Sequence, residues 1–308
     1  MLAGAAALVP VRARAQSAAP GAPVRIASIP IDTGIEAHFA DQLGLFKKAG
    51  LNTEVQVISN GSQVTAGVVS GSFEIGFANL LPIAQAYERG IPLVALFPGS
   101  LSLVEHPNGF LMVTKDSPVQ QARDLNGKTI GIPGLGNMTQ IAPMAWLDQN
   151  GADYKSVHFV EIPFSAMQAA LDSHRVDAAF ITEPFYSRAA KVDRTVANIM
   201  AAIAPRFLTG VWFATKPWAD AHADAVARFK VAMLETARWA NAHRTESIPL
   251  ISSYTKVPPE VVAEEPPIFY AEDMTVKDFQ PLLDKAWKYG FLQHPLPMSE
   301  LMYRSPAR

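Results

Sequence analysis

The sequence has no cysteine. That excludes disulfides, thiolate metal sites, thiol nucleophiles and cysteine-borne lipid anchors, and it fits an exported bacterial protein. Charge is also sparse: 18% of residues are Asp, Glu, Lys or Arg, and the formal net charge is −2 with both signs scattered. A nucleic-acid partner would want a basic stripe, so none is expected. No stretch approaches the roughly 20 apolar residues of a membrane span. There is no G-x-S-x-G elbow and no G-K-[ST] phosphate loop. The seven histidines include no pair at metal-ligand spacing. No nucleophile–base pair can be named, so no catalytic residue, metal or cofactor is expected, and the reading leans to binding without reaction.

What is present begins at the N-terminus. Residues 1–9 are apolar and alanine-rich, Ala13-Arg14-Ala15 is an A-x-A cleavage pattern, and residues 16–23 form a small-residue, proline-containing spacer. Together they read as the back half of a signal peptide whose basic start is missing, which predicts a periplasmic location. The 308 residues, 49% of them hydrophobic, suffice for two domains with real cores.

Strand and helix patterns alternate from residue 24 onward. Residues 24–29, 53–58, 73–78 and 93–97 read as strands. Between them lie helices at 34–48, 62–70 and 80–89, with glycines at their ends. The order then recurs: strands at 129–132, 157–161 and 176–181, with helices at 139–149 and 166–173 between them. Residues 72–79, SFEIGFAN, align with 175–182, RVDAAFIT, matching Glu74 with Asp177 and Phe77 with Phe180. Such alternation predicts parallel α/β sheets in two lobes. The strands at 109–115 and 207–215 read as crossings between the lobes. Helices at 220–243 and 275–289 return to the first lobe, the second opened by a Thr275–Asp278 capping box.

Ligands of open parallel sheets bind beyond the carboxyl ends of the strands. In the first lobe those positions offer Asp32, Thr33, Asn60 and Asn79, then Ser100 and Ser102. In the second they offer Asn137, Met138, Thr139, Phe164 and Glu183. If the lobes face each other, these residues converge on one cleft, with Trp212 on the second crossing strand as a candidate floor. Asp32, Asn60 and Asn79 have an alternative use as turn or helix-cap residues.

The segment DLNGKTIGIPGLGNMTQ (124–140) is the hub of this arrangement: a turn, a buried strand, a glycine loop and a helix start. Its GLGNMT portion approximates the dinucleotide pattern G-x-G-x-x-G, with Glu161 near the place of a ribose-binding acid. Thr139 in place of the third glycine, and Pro143 within the following helix, weigh against that use. The loop is better read as the opening of the second lobe, whose free N–H groups could face a ligand.

Four ordered motifs carry a family resemblance. ADQLGLFKKAGL (40–51), VSGSFEIG (69–76), DLNGKTIGI (124–132) and RVDAAFITEP (175–184) resemble the signature elements of the nitrate/sulfonate/taurine/thiamine-precursor solute-binding proteins of ABC importers, the SsuA/THI5-like and NMT1-like family. The resemblance implies a type II periplasmic-binding-protein fold. Two α/β lobes, joined by two crossing strands, close on a ligand held between them and then dock on a membrane permease. On that template residues 24–110 and 213–308 are expected to form the first lobe and 111–212 the second, after a leader and spacer at 1–23. The expected protein is a monomer that delivers a sulfonate-, nitrate- or pyrimidine-type molecule. The loops at Asp32, Asn79, 137–139 and Glu183 correspond to the family's ligand loops. Some pyrimidine-precursor binders carry a tryptophan soon after the first strand, and residues 31–33 here offer none. With Asp32 and Glu183 as the cleft's expected charges, a neutral or amine-bearing ligand fits better than a bare anion. The alternative is an enzyme on the same fold, resembling the thiamine-pyrimidine synthases, which use cysteine and histidine.

Overall fold

Apolar β-branched runs supply most of the strands. In the computed structural model, which describes residues 22–306, these are β1 (Val24–Ser28), β2 (Thr53–Val57), β3 (Ile75–Ala78), β4 (Leu93–Pro98), β5 (Ser100–Leu103), β6 (Gly109–Val113), β7 (Thr129–Ile132), β8 (His158–Glu161), β9 (Ala178–Thr182), β10 (Arg194–Asn198), β11 (Arg206–Leu208), β12 (Val211–Thr215) and β13 (Phe269–Tyr270). The leader expected at the N-terminus falls almost entirely outside the described residues.

The strands form two five-stranded sheets, ordered β2-β1-β3-β12-β4 and β10-β6-β9-β7-β8, and a three-stranded sheet ordered β11-β5-β13. Central strands such as β3, β6 and β9 are buried along their whole length, whereas the edge strands β2 and β8 carry exposed polar positions. That is the burial expected of sheets covered by helices on both faces.

The repeat seen in the sequence has a physical counterpart. In the first sheet the backbone N–H of Arg25 donates to the Glu74 carboxylate at 2.6 Å, and the N–H of Glu74 returns a bond to Arg25 O. In the second, the N–H of Thr129 donates to the Asp177 carboxylate at 2.8 Å, and Asp177 N–H returns to Thr129 O. Registers agree as well: Ile26 pairs with Ile75 as Ile130 pairs with Ala178. Each lobe therefore pins its first strand with an acid placed just before its third.

The crossings differ from expectation. β6 pairs antiparallel with β9 and β10, wholly within the second sheet, and β12 pairs with β3 and β4, wholly within the first. Boundaries at 110/111 and 212/213 would cut through strands. The chain instead changes lobes in segments 99–108 and 199–210, which the small sheet β11-β5-β13 ties together. A single helix at 34–48 is also not found. Gly44, at φ +68°, divides Glu36–Gln42 from Leu45–Lys48, because its left-handed backbone cannot continue a helix. The helix at 220–243 breaks at His222 into Lys216–Ala221 and Ala223–Ala242. Helix Val276–Lys288 starts as read: Thr275 Oγ1 accepts the Asp278 N–H at 3.2 Å. Among the described residues no helix is long and apolar enough to cross a membrane.

Candidate functional site

The carboxyl ends of both main sheets face one shared cavity, open at its mouth to solvent. From the first lobe come Ile29, Ile31 and Thr33 after β1, Asn60 and Gly61 after β2, and Phe77 and Asn79 at the end of β3. The second lobe contributes Pro133 and Asn137–Thr139 after β7, Phe164 after β8, and Phe180 and Thr182 from β9. Asn108, Met200 and Thr209 enter from the crossing segments. The lining is aliphatic, aromatic, thioether, amide and hydroxyl, and among the described residues it contains no ionisable side chain.

Local chemistry explains why asparagines stand there. Asn60, Asn79 and Asn137 each close a strand and cap the next helix, their Oδ1 atoms accepting from Gln63 N, Leu81 N and Thr139 N at 3.0, 3.2 and 2.8 Å. The cap geometry turns each residue toward the cleft. Two of them also bridge the lobes. Asn60 Nδ2 donates to Glu161 at 3.2 Å, and Asn79 Oδ1 accepts the Met138 N–H at 3.4 Å. The lobes thus meet directly across the cavity.

Four N–H groups of the glycine loop are engaged within the protein and are not offered to a ligand. Leu135 N donates to Glu161 at 3.1 Å, Gly136 N to Gln140 at 2.8 Å, Met138 N to Asn79, and Thr139 N to Asn137. Glu161, considered as a ribose-binding acid, is engaged by Leu135 and Asn60. The helix Met138–Gln149 runs on through Pro143.

Three expected site residues lie outside the lining. Trp212 is fully buried; its Nε1 donates to Glu36 Oε2 at 3.0 Å, and its ring packs on Phe77 and Phe229 at 5.0 and 5.9 Å between centroids. It supports the cavity wall at Phe77 and is not the floor. Asp32 sits in a 3₁₀ turn whose neighbours Ile31 and Thr33 line the cavity while its own carboxyl turns into the protein. Glu183 is 1% exposed, and its carboxylate accepts from Ser187 N and Oγ at 3.1 and 2.9 Å. The four-residue spacing of Glu183 and Ser187 was the available sign that this acid serves its own helix.

Asp32 and Glu183 belong instead to a buried carboxyl cluster beside the cavity, completed by Glu265. Asp32 and Glu265 lie within hydrogen-bonding reach of each other, and their carboxyl oxygens meet no donor among the described residues. Burial is the main force pushing both carboxyls up, which keeps a proton on the pair. Glu183 is pushed up to about 7, chiefly by burial and further by the Asp32 charge, against the two Ser187 bonds. The cation facing them, Arg244, reaches Glu265 at 3.9 Å and gives Nη2 to the carbonyls of Val262 and Glu265.

Phe77, Phe180, Thr182, Asn108, Met200 and Thr209 line the cavity although none is among the expected site residues. For the first three a signal existed: Phe77 and Phe180, and likewise Asn79 and Thr182, are equivalent positions of the internal repeat. Ser100, which was considered, instead bonds Thr209 Oγ1 at 2.7 Å.

Comparison with known proteins follows this geometry. Residues 35–247 match the family described as NMT1/THI5 like. A formylaminopyrimidine-binding protein from Halalkalibacterium halodurans is 24% identical over 141 residues, 46% of this chain and 41% of the relative. A 4-amino-5-hydroxymethyl-2-methylpyrimidine phosphate synthase from Aspergillus parasiticus is 28% identical over 122 residues, 39% of this chain and 34% of the relative. The matches therefore span well under half of each curated relative. Among solved structures, the alkanesulfonate-binding protein SsuA from Xanthomonas axonopodis pv. citri, bound to MOPS, superposes with a TM-score of 0.75 at 20% identity, covering 92% of this chain and 98% of that one. At that identity the likeness shows the fold, which is that of periplasmic solute-binding proteins.

Proposed function

The chain belongs to the NMT1/THI5-like family, and we propose from that premise that it is the solute-binding component of an ABC importer. It captures a small organic molecule between its lobes by hinge closure and passes it, unchanged, to a membrane permease. The periplasm is the matching location and a monomer the matching state. The observation that carries this reading is the cavity between the lobes: both jaws contribute to it, and Asn60–Glu161 and Asn79–Met138 bonds join them across it. Such a cavity can hold a molecule, and among the described residues its lining carries no carboxyl, imidazole or amine to act as acid or base. An uncharged lining also favours a neutral ligand over nitrate or a sulfonate, since a desolvated anion needs a cation or converging donors.

A second reading, a synthase on the same fold, is favoured by the name of the Aspergillus relative. The absence of cysteine from this chain counts against it. Both readings meet one test. The full chain is melted and titrated calorimetrically with neutral heterocycles, carboxamides, sulfonates and nitrate, and the recovered ligand is examined by mass spectrometry. A bound ligand at 100 times its Kd is expected to stabilise the fold by about 2.7 kcal/mol and to be recovered intact. Consumption of the ligand would overturn the transport reading.

A further inference from the structure

Four asparagines line the cavity, and they differ in what their oxygens do. Those of Asn60, Asn79 and Asn137 accept helix N–H groups. Asn108 precedes β6 on a crossing segment and has no helix to cap. Its Nδ2 points to Leu101 O at 3.5 Å, and its main-chain oxygen accepts the hydroxyl of Thr182, itself a cavity residue. The other arm of the amide, Oδ1, is buried without a donor among the described residues, and the residue is only 4% exposed. A buried acceptor left unmade is costly, so a donor that enters the cavity and meets it recovers that cost.

A complementary group lines the same cavity. Asn79 Oδ1 is engaged twice, by Leu81 N and Met138 N, and its Nδ2 has no partner among the described residues. The walls between are apolar and aromatic, with Phe77 from one lobe and Phe180 from the other. The site is poorly suited to anions: among the described residues the lining has no lysine, arginine or histidine, four of the glycine-loop N–H groups (Leu135, Gly136, Met138 and Thr139) are engaged within the protein, and the Asp32–Glu183–Glu265 carboxyls adjoin it.

We infer that Asn108 is the specificity-determining residue of the cavity, its Oδ1 accepting from an N–H of the ligand while Asn79 Nδ2 donates to a neighbouring acceptor. The ligand class is an uncharged, flat molecule with an N–H donor beside an acceptor, as in an aminoazine or a primary carboxamide. This rests on the binding-protein reading above and sharpens it. Replacing the ligand's N–H by a methyl group leaves Asn108 unmade and removes the preference, the asymmetry seen wherever a site built for a donor meets an analogue lacking it.

Matched pairs test it without requiring any variant: 4-aminopyrimidine against 4-methylpyrimidine, and benzamide against acetophenone, titrated by calorimetry into the full chain. At least tenfold weaker binding of the methyl partner is expected in one pair or both. In Asn108→Leu, whose folding is checked by melting, the two partners are expected to bind within threefold of each other. Equal binding of both partners to the wild-type chain overturns the role of Asn108 and leaves the binding-protein reading standing. Binding of nitrate or ethanesulfonate but of neither N–H probe overturns the ligand class in the same way. Consumption of a probe strikes at the binding-protein reading itself.

Discussion

Glu36 offers the sharpest test of how burial governs this protein. It opens the helix Glu36–Gln42 with no exposed surface. One carboxylate oxygen accepts the Trp212 Nε1–H at 3.0 Å, and the other meets no donor among the described residues. Burial pushes the group up from 4.5 to about 8, with the Trp212 bond opposing. A carboxyl raised on folding binds its proton more tightly in the native than in the unfolded chain. Its stabilising contribution is therefore complete below pH 4.5 and is lost as pH rises to about 8. At about 1.4 kcal/mol per pH unit, that interval corresponds to at most about 5 kcal/mol. In Glu36→Gln an acceptor for Trp212 remains, and an uncharged NH₂ takes the place of the acid's O–H. Wild type and variant should melt together near pH 4.5. By pH 8 the variant should be more stable by roughly 2–5 kcal/mol. At roughly 2–4 °C per kcal/mol for domains of 150–250 residues, the Tm gap is on the order of 4–20 °C. The assay is a series of thermal melts across this range. The carboxyls of Asp32, Glu183 and Glu265 shift in the same direction in both proteins and cancel in the difference. Parallel Tm–pH profiles for the two chains would refute the reasoning, because they would mean Glu36 is solvated or paired when folded.

Two further outcomes are expected. Glu183 is held up to about 7, chiefly by burial, so its contribution to folding stability should be complete below about pH 4.5 and be lost as pH rises through about 7, and Glu183→Gln should flatten that part of the Tm–pH profile; a variant that loses stability relative to wild type as pH rises over the interval has the wrong sign. Gly99→Ala places a Cβ 2.5 Å from Phe77 Cε2 and 3.0 Å from Gly210 O, and it should cost about 1–3 kcal/mol by overpacking, read as a lower denaturation midpoint. An unchanged midpoint would show that Phe77 can move aside.

Much of the fold was legible because its periods are strong. Alternating strand and helix patterns, glycine stops and the Glu74/Asp177 match predicted two α/β units, and both units fold as sheets with parallel centres. The crossings were less legible. A buried antiparallel strand such as β6 or β12 has the same apolar composition as a connecting strand, and only pairing partners separate the two. In the site, residues capping helices after strands (Asn60, Asn79, Asn137) could be found because cap and cleft coincide at a strand's carboxyl end. Asp32, Glu183 and Trp212 follow the same positional rule, yet they turn inward. What decides this is tertiary: Tyr270, which donates to Asp32 O at 2.9 Å, and Glu265 lie more than 200 residues away in sequence from the turn they meet. Asn108 gave no signal, since an asparagine before a strand reads as an ordinary loop residue.

Matched positions of the internal repeat set paired side chains from the two lobes on the walls of the cavity. Phe77 faces the counterpart role of Phe180, and Asn79 that of Thr182, across the line where the lobes meet. Like residues in matched places cannot tell one end of a molecule from the other. Orientation must then come from the places where the match fails: amide against hydroxyl at 79 and 182, and Asn108, which lies outside the aligned repeat. Exchanging the members of such a pair, as in the double variant Asn79→Thr with Thr182→Asn, would reverse the polarity of the chamber while leaving its volume nearly unchanged.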